Sequence, residues 1–340
     1  MAASPSTNAD FADLFEIELA ARARLPPAIW DYAHGGADDG LTAAANVAAW
    51  AAVRLRPRVL RGVREPDLAT SLLGTPVSMP IVASPTGKQR MFHPEGELAT
   101  ARAFGAAGAL MVLSSGASDL LEPITQAVPG APRWLQLYLE SDRALTEDAV
   151  RRAAAAGFSA VVLTVDVAAG GRPRLDRPGA LPRVPSAALR PEAALGLDDL
   201  AWLRSVSPLP VVVKGVLRGD DAALCVEAGA AALVVSNHGG NQLDTTVTTV
   251  EVLPEVIQAV GARAEVYVDG GIRRGTSVLK ALALGAQAVF VGRPIIYGLA
   301  AGGGEGVGAM LGCLERELRR AMHLCGAATL AEVTPDLVRL

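Results

Sequence analysis

The sequence predicts a (β/α)8 barrel preceded by a helical extension, and three observations carry that prediction. Eight short β-branched, apolar runs recur along the chain: PIVASPT (80–86), ALMVLSS (109–115), WLQLYL (134–139), AVVLTVD (160–166), PVVVKGV (210–216), ALVVSNH (232–238), EVYVDGG (265–271) and AVFVGRP (288–294). They are continuously apolar rather than alternating, as strands of a parallel sheet covered on its outer face are. Helix-period stretches such as GELATARAFGAAG and RALTEDAVRRAAAAG separate them, most closed by a glycine where a helix C-cap would stand. Eight such units fit a closed barrel, and barrels routinely exceed ordinary domain lengths, so the 340 residues are read as one domain. A doubly wound sheet is the alternative.

The elements follow in order. Residues 1–79 precede the first strand and read as two helices, roughly 9–20 and 27–35, followed by an irregular wrap. The barrel spans 80–326, and VGAMLGCLERELRRAMHLCG forms its last helix. One connection departs from the pattern: residues 167–197 are rich in Gly, Pro and Arg, which suggests a lid-like excursion over the strand ends.

Composition narrows the partners. Half the residues are apolar and only 4% are aromatic, so the core must be built from Ala, Val and Leu. The net charge is −4 and no block of like charges stands out, which argues against nucleic acid or an anionic membrane and for a small-molecule partner. Cys225, Cys313 and Cys325 form no CxxC and read as buried free thiols of a reducing compartment; no metal is assigned. No run approaches the roughly 18 apolar residues of a membrane span, and MAASPSTNAD lacks a signal-peptide pattern, so a cytoplasmic protein is expected.

In a barrel the active site lies at the C-terminal ends of the strands. Those ends carry Thr86, Ser114, Gln136 with Tyr138, Thr164 with Asp166, Lys214, Ser236 with His238, Asp269 with Arg273, and Gly292 with Arg293. Polar groups gathered at one end would be costly in a sealed core, so they should line a ligand cavity. DGGIRRG and GRP add glycine backbone N–H groups, a helix N-terminus after Arg274 and two guanidinium groups, which together suggest a phosphate cradle.

The motifs SNHGGNQLD, LTVD, WLQLY, VVVKGV, VDGGIRRGTSVLKALALGAQAVFVGRP, SPTGKQRMFHPEGELATARA and IWDYAHGGADD resemble, in order from about Asp31 to Gly326, the FMN-dependent 2-hydroxy acid oxidase and dehydrogenase family. The resemblance implies FMN across the barrel mouth. Its phosphate would meet Gly271, Arg273, Gly292 and Arg293, with Asp269 beside them; Pro85, Thr86, Gly87, Ser114, Gln136, Thr164 and Ser236 would contact the ring. Lys214 would lie at the pyrimidine end. His238 would be the base, Asp166 would hold its imidazole, and Tyr138 and Tyr32 would hydrogen-bond the substrate. A tetramer or larger homo-oligomer is implied as well, while oxygen, a quinone or a carrier protein stays open as electron acceptor. His34 and His93 are given structural or surface roles.

Two departures bear on substrate. The family's carboxylate-binding arginines fall here on Asn241 and Pro173, and Gly116 stands for a bulky aromatic. Breaking a buried ion pair typically loses about 3–5 kcal/mol, two to three decades in binding, and an amide does not replace a bidentate guanidinium. The leading expectation is therefore oxidation of a CH–OH or CH–NH centre in a substrate without a free α-carboxylate, such as a natural-product intermediate, within a site enlarged by Gly116 and by a lid shorter than the family's. The alternative is a conventional 2-hydroxy acid oxidase in which Arg172 or Arg174 swings inward. A third reading is a flavin- or phosphosugar-binding barrel without redox turnover.

Overall fold

A computed structural model describes residues 11–118, 121–167 and 194–340. Helices α1 (Leu14–Arg24), α2 (Pro27–His34) and α3 (Leu41–Ala52) lead into β1 (Arg54–Leu55) and the hairpin β2 (Thr70–Leu72) and β3 (Thr75–Val77). The barrel alternates β4 (Ile81–Ala83), α4 (Gly96–Ala106), β5 (Met111–Ser114), α5 (Leu121–Ala127), β6 (Arg133–Leu137), α6 (Arg143–Ala155) and β7 (Val161–Thr164). It continues with α7 (Leu197–Val206), β8 (Val211–Val216), α8 (Gly219–Glu227), β9 (Ala232–Val235), α9 (Thr249–Val260), β10 (Glu265–Val268), α10 (Gly275–Ala283), β11 (Ala288–Val291) and α11 (Arg293–Cys325). β12 (Val338–Arg339) pairs antiparallel with β1.

Strands β4 to β11 pair in sequence order, and β11 returns to β4 through Val289↔Ile81, Phe290↔Val82 and Val291↔Ala83. Seven of the eight predicted runs contain a whole barrel strand, and the eighth, WLQLYL, misses only Arg133, the first residue of β6. The barrel interior is filled by Val82, Val112, Trp134, Val162, Val212, Val234, Tyr267 and Phe290, and the hairpin adds Leu72 and Val77 to the same cluster. Three of the few aromatics therefore sit inside the barrel, with ring centroids 5.6–6.3 Å apart, beside the expected Val and Ala. Burying such large rings fills the barrel volume that small aliphatics alone would leave open.

The extension is more regular than expected. α1 starts at Leu14, where the Asp13 carboxylate accepts the Glu16 N–H at 3.1 Å, and the expected irregular wrap contains α3. No local side chain caps α3: its N-cap is Gly40, and the capping carboxylate comes from Asp244, far along the chain. That is why no start signal was visible near residue 41. The last helix is also longer at its N-terminal end, with a break in its dihedrals at Gly302 and Gly303. Cys313 and Cys325 are buried and Cys225 is half-buried, all as free thiols. Most of the 167–197 excursion, with Pro173, Arg172 and Arg174, lies outside the described residues. Among the described residues, no helix is long and apolar enough to cross a membrane.

Candidate active site

At the C-terminal mouth of the barrel lies a cavity of about 490 Å³. Of the predicted site residues, Tyr32, Pro85, Thr86, Gly87, Ser114, Gly116, Tyr138, Lys214, His238, Asn241, Asp269, Gly271, Arg273, Gly292 and Arg293 line it. Gln136, Thr164 and Ser236, expected at the ring, do not line it. They are almost fully buried, and two of them form a chain with Ser114: its hydroxyl donates to Gln136 Oε1 at 2.9 Å, and Gln136 Nε2 donates to Thr164 Oγ1 at 3.0 Å. Lys88, Phe92, Gly239 and Gln242 line the cavity without having been singled out. For Lys88 the available signal was its place directly after Gly87 in SPTGK, at the end of the first barrel strand.

His238 Nδ1 stands 2.9 Å from Asp166 Oδ1. A carboxylate accepts, so the proton belongs on Nδ1, and Nε2 keeps the lone pair with which to take a proton. Asp166 comes from the end of β7 and packs on Gly215, whose φ of +120° permits the irregularity between Lys214 and Val216; a Cβ at 215 would come within 2.6 Å of the Asp166 Cβ. Burial would raise the Asp166 carboxyl, but the charges of Lys214 and His238 outweigh it and hold it below its usual range.

Lys214 is buried, with Nζ 3.2 Å from Asp269 Oδ2 and donating to Ser236 Oγ at 3.0 Å. Burial alone would push its ammonium down; the carboxylates of Asp269 and Asp166 reverse that and raise it, so the lysine stays charged. Ser236 Oγ also accepts the His238 backbone N–H at 3.0 Å, which ties the ammonium to the His238 loop. Tyr138 is pushed up mainly by burial, so its hydroxyl remains a donor at neutral pH. The Tyr32 ring stacks on Phe92 with centroids 6.3 Å apart, an amphipathic contact that leaves both residues on the cavity wall.

The phosphate end differs from expectation in two respects. The N-terminus of α10 is closed, because the Gly275 N–H donates to Glu317 Oε2 at 2.7 Å and Arg274 pairs with Asp13 and Glu317. It offers no anion site. Arg293 is already engaged with protein oxygens, donating to the carbonyls of Ala33, Gly239 and Gly35 and to Asn241 Oδ1 at 3.0 Å. Arg273 donates to the Ile272 carbonyl at 3.0 Å and lies over the Tyr297 ring, so part of its fork faces the cavity. Arg273 and Arg293 also border a neighbouring cavity of about 840 Å³ lined by Glu18, Asp31, Asp38 and Asp39.

The loop carrying His238 is held in an uncommon conformation. His238, Gly239 and Gly240 all have positive φ, at 54°, 64° and 74°. For a histidine this costs roughly 1–2 kcal/mol and persists only where the surroundings impose it. Helix α3 imposes it: the Asp244 carboxylate accepts the backbone N–H groups of Asp39, Leu41 and Thr42, and Asn46 and Asn237 exchange two side-chain hydrogen bonds of 2.9 Å. The N–H of Thr42 above all holds Asp244 down to about 2. The resulting stability is present above the usual carboxylate range and is lost as pH falls toward about 2. Asp244→Asn turns one acceptor into a donor against these N–H groups. We expect a lower thermal midpoint and flavin reduction slowed by about tenfold to a hundredfold, the order of loss that slight misplacement of a reacting group brings. Stopped-flow absorbance and a melting curve check both.

Comparison with known proteins adds the family. A model of the FMN-dependent dehydrogenases matches residues 21–340. This chain belongs to that family. The family member is 43% identical to L-lactate oxidase of Nostoc sp., with 96% of this chain and 98% of the relative covered, and 44% identical to human 2-hydroxyacid oxidase 1, with 95% of each covered. A crystal structure of mandelate oxidase superposes with a TM-score of 0.92 at 41% identity, covering 97% of this chain and 98% of that one. The cofactor of this FMN-dependent dehydrogenase is FMN, and the chain is an oxidoreductase, which sets aside the barrel without redox turnover. The residues present suit the group. Asp269 Oδ1 is a buried acceptor with no partner on the cavity wall, where a ribityl hydroxyl can donate, and Gly270 and Gly271, with φ of 82° and 78°, leave the wall free of side chains. The expectation of a substrate without an α-carboxylate finds no support among these relatives, which are named for 2-hydroxy acids and so accord better with the alternative of a conventional 2-hydroxy acid oxidase.

Proposed function

We propose that this FMN-dependent dehydrogenase oxidises a 2-hydroxy acid to the 2-oxo acid, with oxygen as final acceptor. The observation that carries the reading is the His238–Asp166 pair at 2.9 Å, with Nε2 left for the substrate hydroxyl beside Tyr32 and Tyr138 on one cavity wall. FMN supplies a two-electron acceptor for the hydride equivalent leaving the α-carbon. His238 Nε2 takes the hydroxyl proton, and Asp166 stabilises the imidazolium that results. Tyr138 and Tyr32 orient the substrate oxygens by donation. The buried ammonium of Lys214 would supply positive charge to a flavin bound in this cavity. Gly271, Arg273, Gly292 and Arg293 would hold the phosphate and Asp269 would accept from a ribityl hydroxyl, while Pro85, Thr86, Gly87 and Ser114 would border the ring, with Gln136, Thr164 and Ser236 fixing that wall from beneath. Arg172 or Arg174 supplies the carboxylate's cation. Oxygen as acceptor accords with the relatives' names as oxidases.

The test is anaerobic mixing with glycolate, lactate and mandelate beside their amides, following the flavin's visible absorbance. Bleaching by the acids, abolished by neutralising Arg172 and Arg174 together, supports the proposal; bleaching by the amides alone overturns it. A second reading, a neutral substrate, is favoured by one observation: Asn241 presents an amide at the cavity and its oxygen accepts from Arg293. A neighbouring structure, an arginine-to-leucine variant of mandelate oxidase with 2-hydroxy-phenylacetamide, pairs the loss of an arginine with a neutral ligand. The same amide panel decides between the two.

A further inference from the structure

Lys88 belongs to none of the roles assigned so far. It follows Gly87 at the end of β4 in a left-handed conformation, with φ of 56°. For a residue with a side chain such a backbone is an outlier that points to a constraint. Two contacts impose it. The Lys88 N–H donates to the Gly116 carbonyl at 3.1 Å, and its own carbonyl accepts from Met91 at 3.0 Å. Gly87 is pressed against the same Gly116, where an added Cβ would stand 2.6 Å from the carbonyl oxygen. The loops after β4 and β5 are thus locked together, with the lysine side chain on the cavity wall and no bulk at 116 in front of it.

The charges around the cavity single this lysine out. Lys214 is matched by Asp269, Arg293 is engaged with four protein oxygens, and Arg273 lies toward the phosphate end. The Lys88 side chain makes no hydrogen bond or ion pair among the described residues, and the one carboxylate on the described cavity lining, Asp269, is already paired. Lys88 follows β4 and Gly116 follows β5, three and four places round the ring from β9, which leads to His238, and all three residues line the same cavity. A substrate with its reacting carbon at His238 could place its far end at Gly116 and Lys88 within that one cavity.

We infer that Lys88 is a specificity residue that receives a second carboxylate at the far end of the substrate, which makes the preferred substrate a 2-hydroxy dicarboxylic acid. The inference rests on the proposed 2-hydroxy acid oxidation and names its substrate class. Lys88 is exposed, so the pair is worth a modest factor that shrinks with salt.

The test compares the holoenzyme with Lys88→Met, using ligands of equal chain length that differ only in the terminal carboxylate. Binding is read by titrating flavin absorbance with 2-oxoglutarate and 2-oxopentanoate, which have no α-hydrogen hydride to give. Turnover is read with 2-hydroxyglutarate and 2-hydroxypentanoate. The expected result is that the wild type prefers the diacids. Lys88→Met should raise the Kd and KM for the diacids by about fivefold at low salt, with kcat and the monoacid values unchanged, and Lys88→Arg should restore the preference. Absence of a diacid preference, or equal weakening of diacid and monoacid, overturns the inference. Should neither hydroxy acid reduce the flavin while 2-oxoglutarate still binds in a Lys88-dependent way, the oxidation proposal falls and the anion subsite stands.

Discussion

Replacing His238 by alanine is expected to slow anaerobic flavin reduction by about a hundredfold to ten-thousandfold, the usual worth of a positioned general base, while FMN stays bound. Among the described residues of the cavity wall, His238 alone combines a free ring lone pair with a carboxylate behind it. Its Nδ1 is committed to Asp166 at 2.9 Å, so Nε2 does the work. Alanine keeps the backbone N–H that donates to Ser236 Oγ, and the Lys214 contact with that hydroxyl remains. The flavin end should therefore be undisturbed. Asp166→Asn should also slow reduction, because an amide can offer Nδ1 a donor and favour the unproductive tautomer. The two losses should be far from additive, since each residue acts through the other. Stopped-flow reduction of the single and double variants measures this. Full additivity, or a His238→Ala enzyme reduced at the wild-type rate, would place the proton acceptor elsewhere.

Lys214→Met should be the most destabilising single change at the site. Its ammonium is buried against Asp269 and faces Asp166, and each of those carboxylates already has one buried oxygen without a partner. Removing one member of a buried ion pair costs about 3–5 kcal/mol, because the other charge stays buried and uncompensated. Denaturant unfolding of the apo and holo proteins reads it. The pH dependence has a definite sign. In the wild type Asp166 is held low, so its contribution is present above the ordinary carboxylate range and is lost as pH falls through its lowered value. Without Lys214 the largest opposing charge is gone and burial pushes the carboxyl up, so the variant gains relative stability when protonated. The stability gap between wild type and variant should therefore narrow on acidification toward pH ~4, the ordinary range of these carboxyls. A constant gap across that range would show that the lysine acts by packing alone.

How much of this was legible from residue order depends on the range of the interaction. Strand positions, their parallel arrangement and the cluster of polar residues at one end follow from patterns within a few residues, so the barrel and the set Asp166, Lys214, His238 and Asp269 could be read directly. The Asp244 cap on α3 could not, because the carboxylate and the N–H groups it serves are separated by about two hundred residues. For the same reason α3 went unrecognised within the irregular wrap, and the N-terminus of α10 was taken for an anion site although Glu317 closes it.

Residue order alone therefore settled the barrel, the FMN-dependent family and the polar set at the strand ends, with His238 and Asp166 among it. Only the tertiary structure decided which charges are already spent and which still face the cavity. It set Arg293 on four protein oxygens, placed Gln136, Thr164 and Ser236 beneath the wall, and brought Lys88 and His238 to one cavity. The physical reason is that a residue's type fixes what it can donate or accept, while its vacancy depends on every partner that folding brings within hydrogen-bond reach.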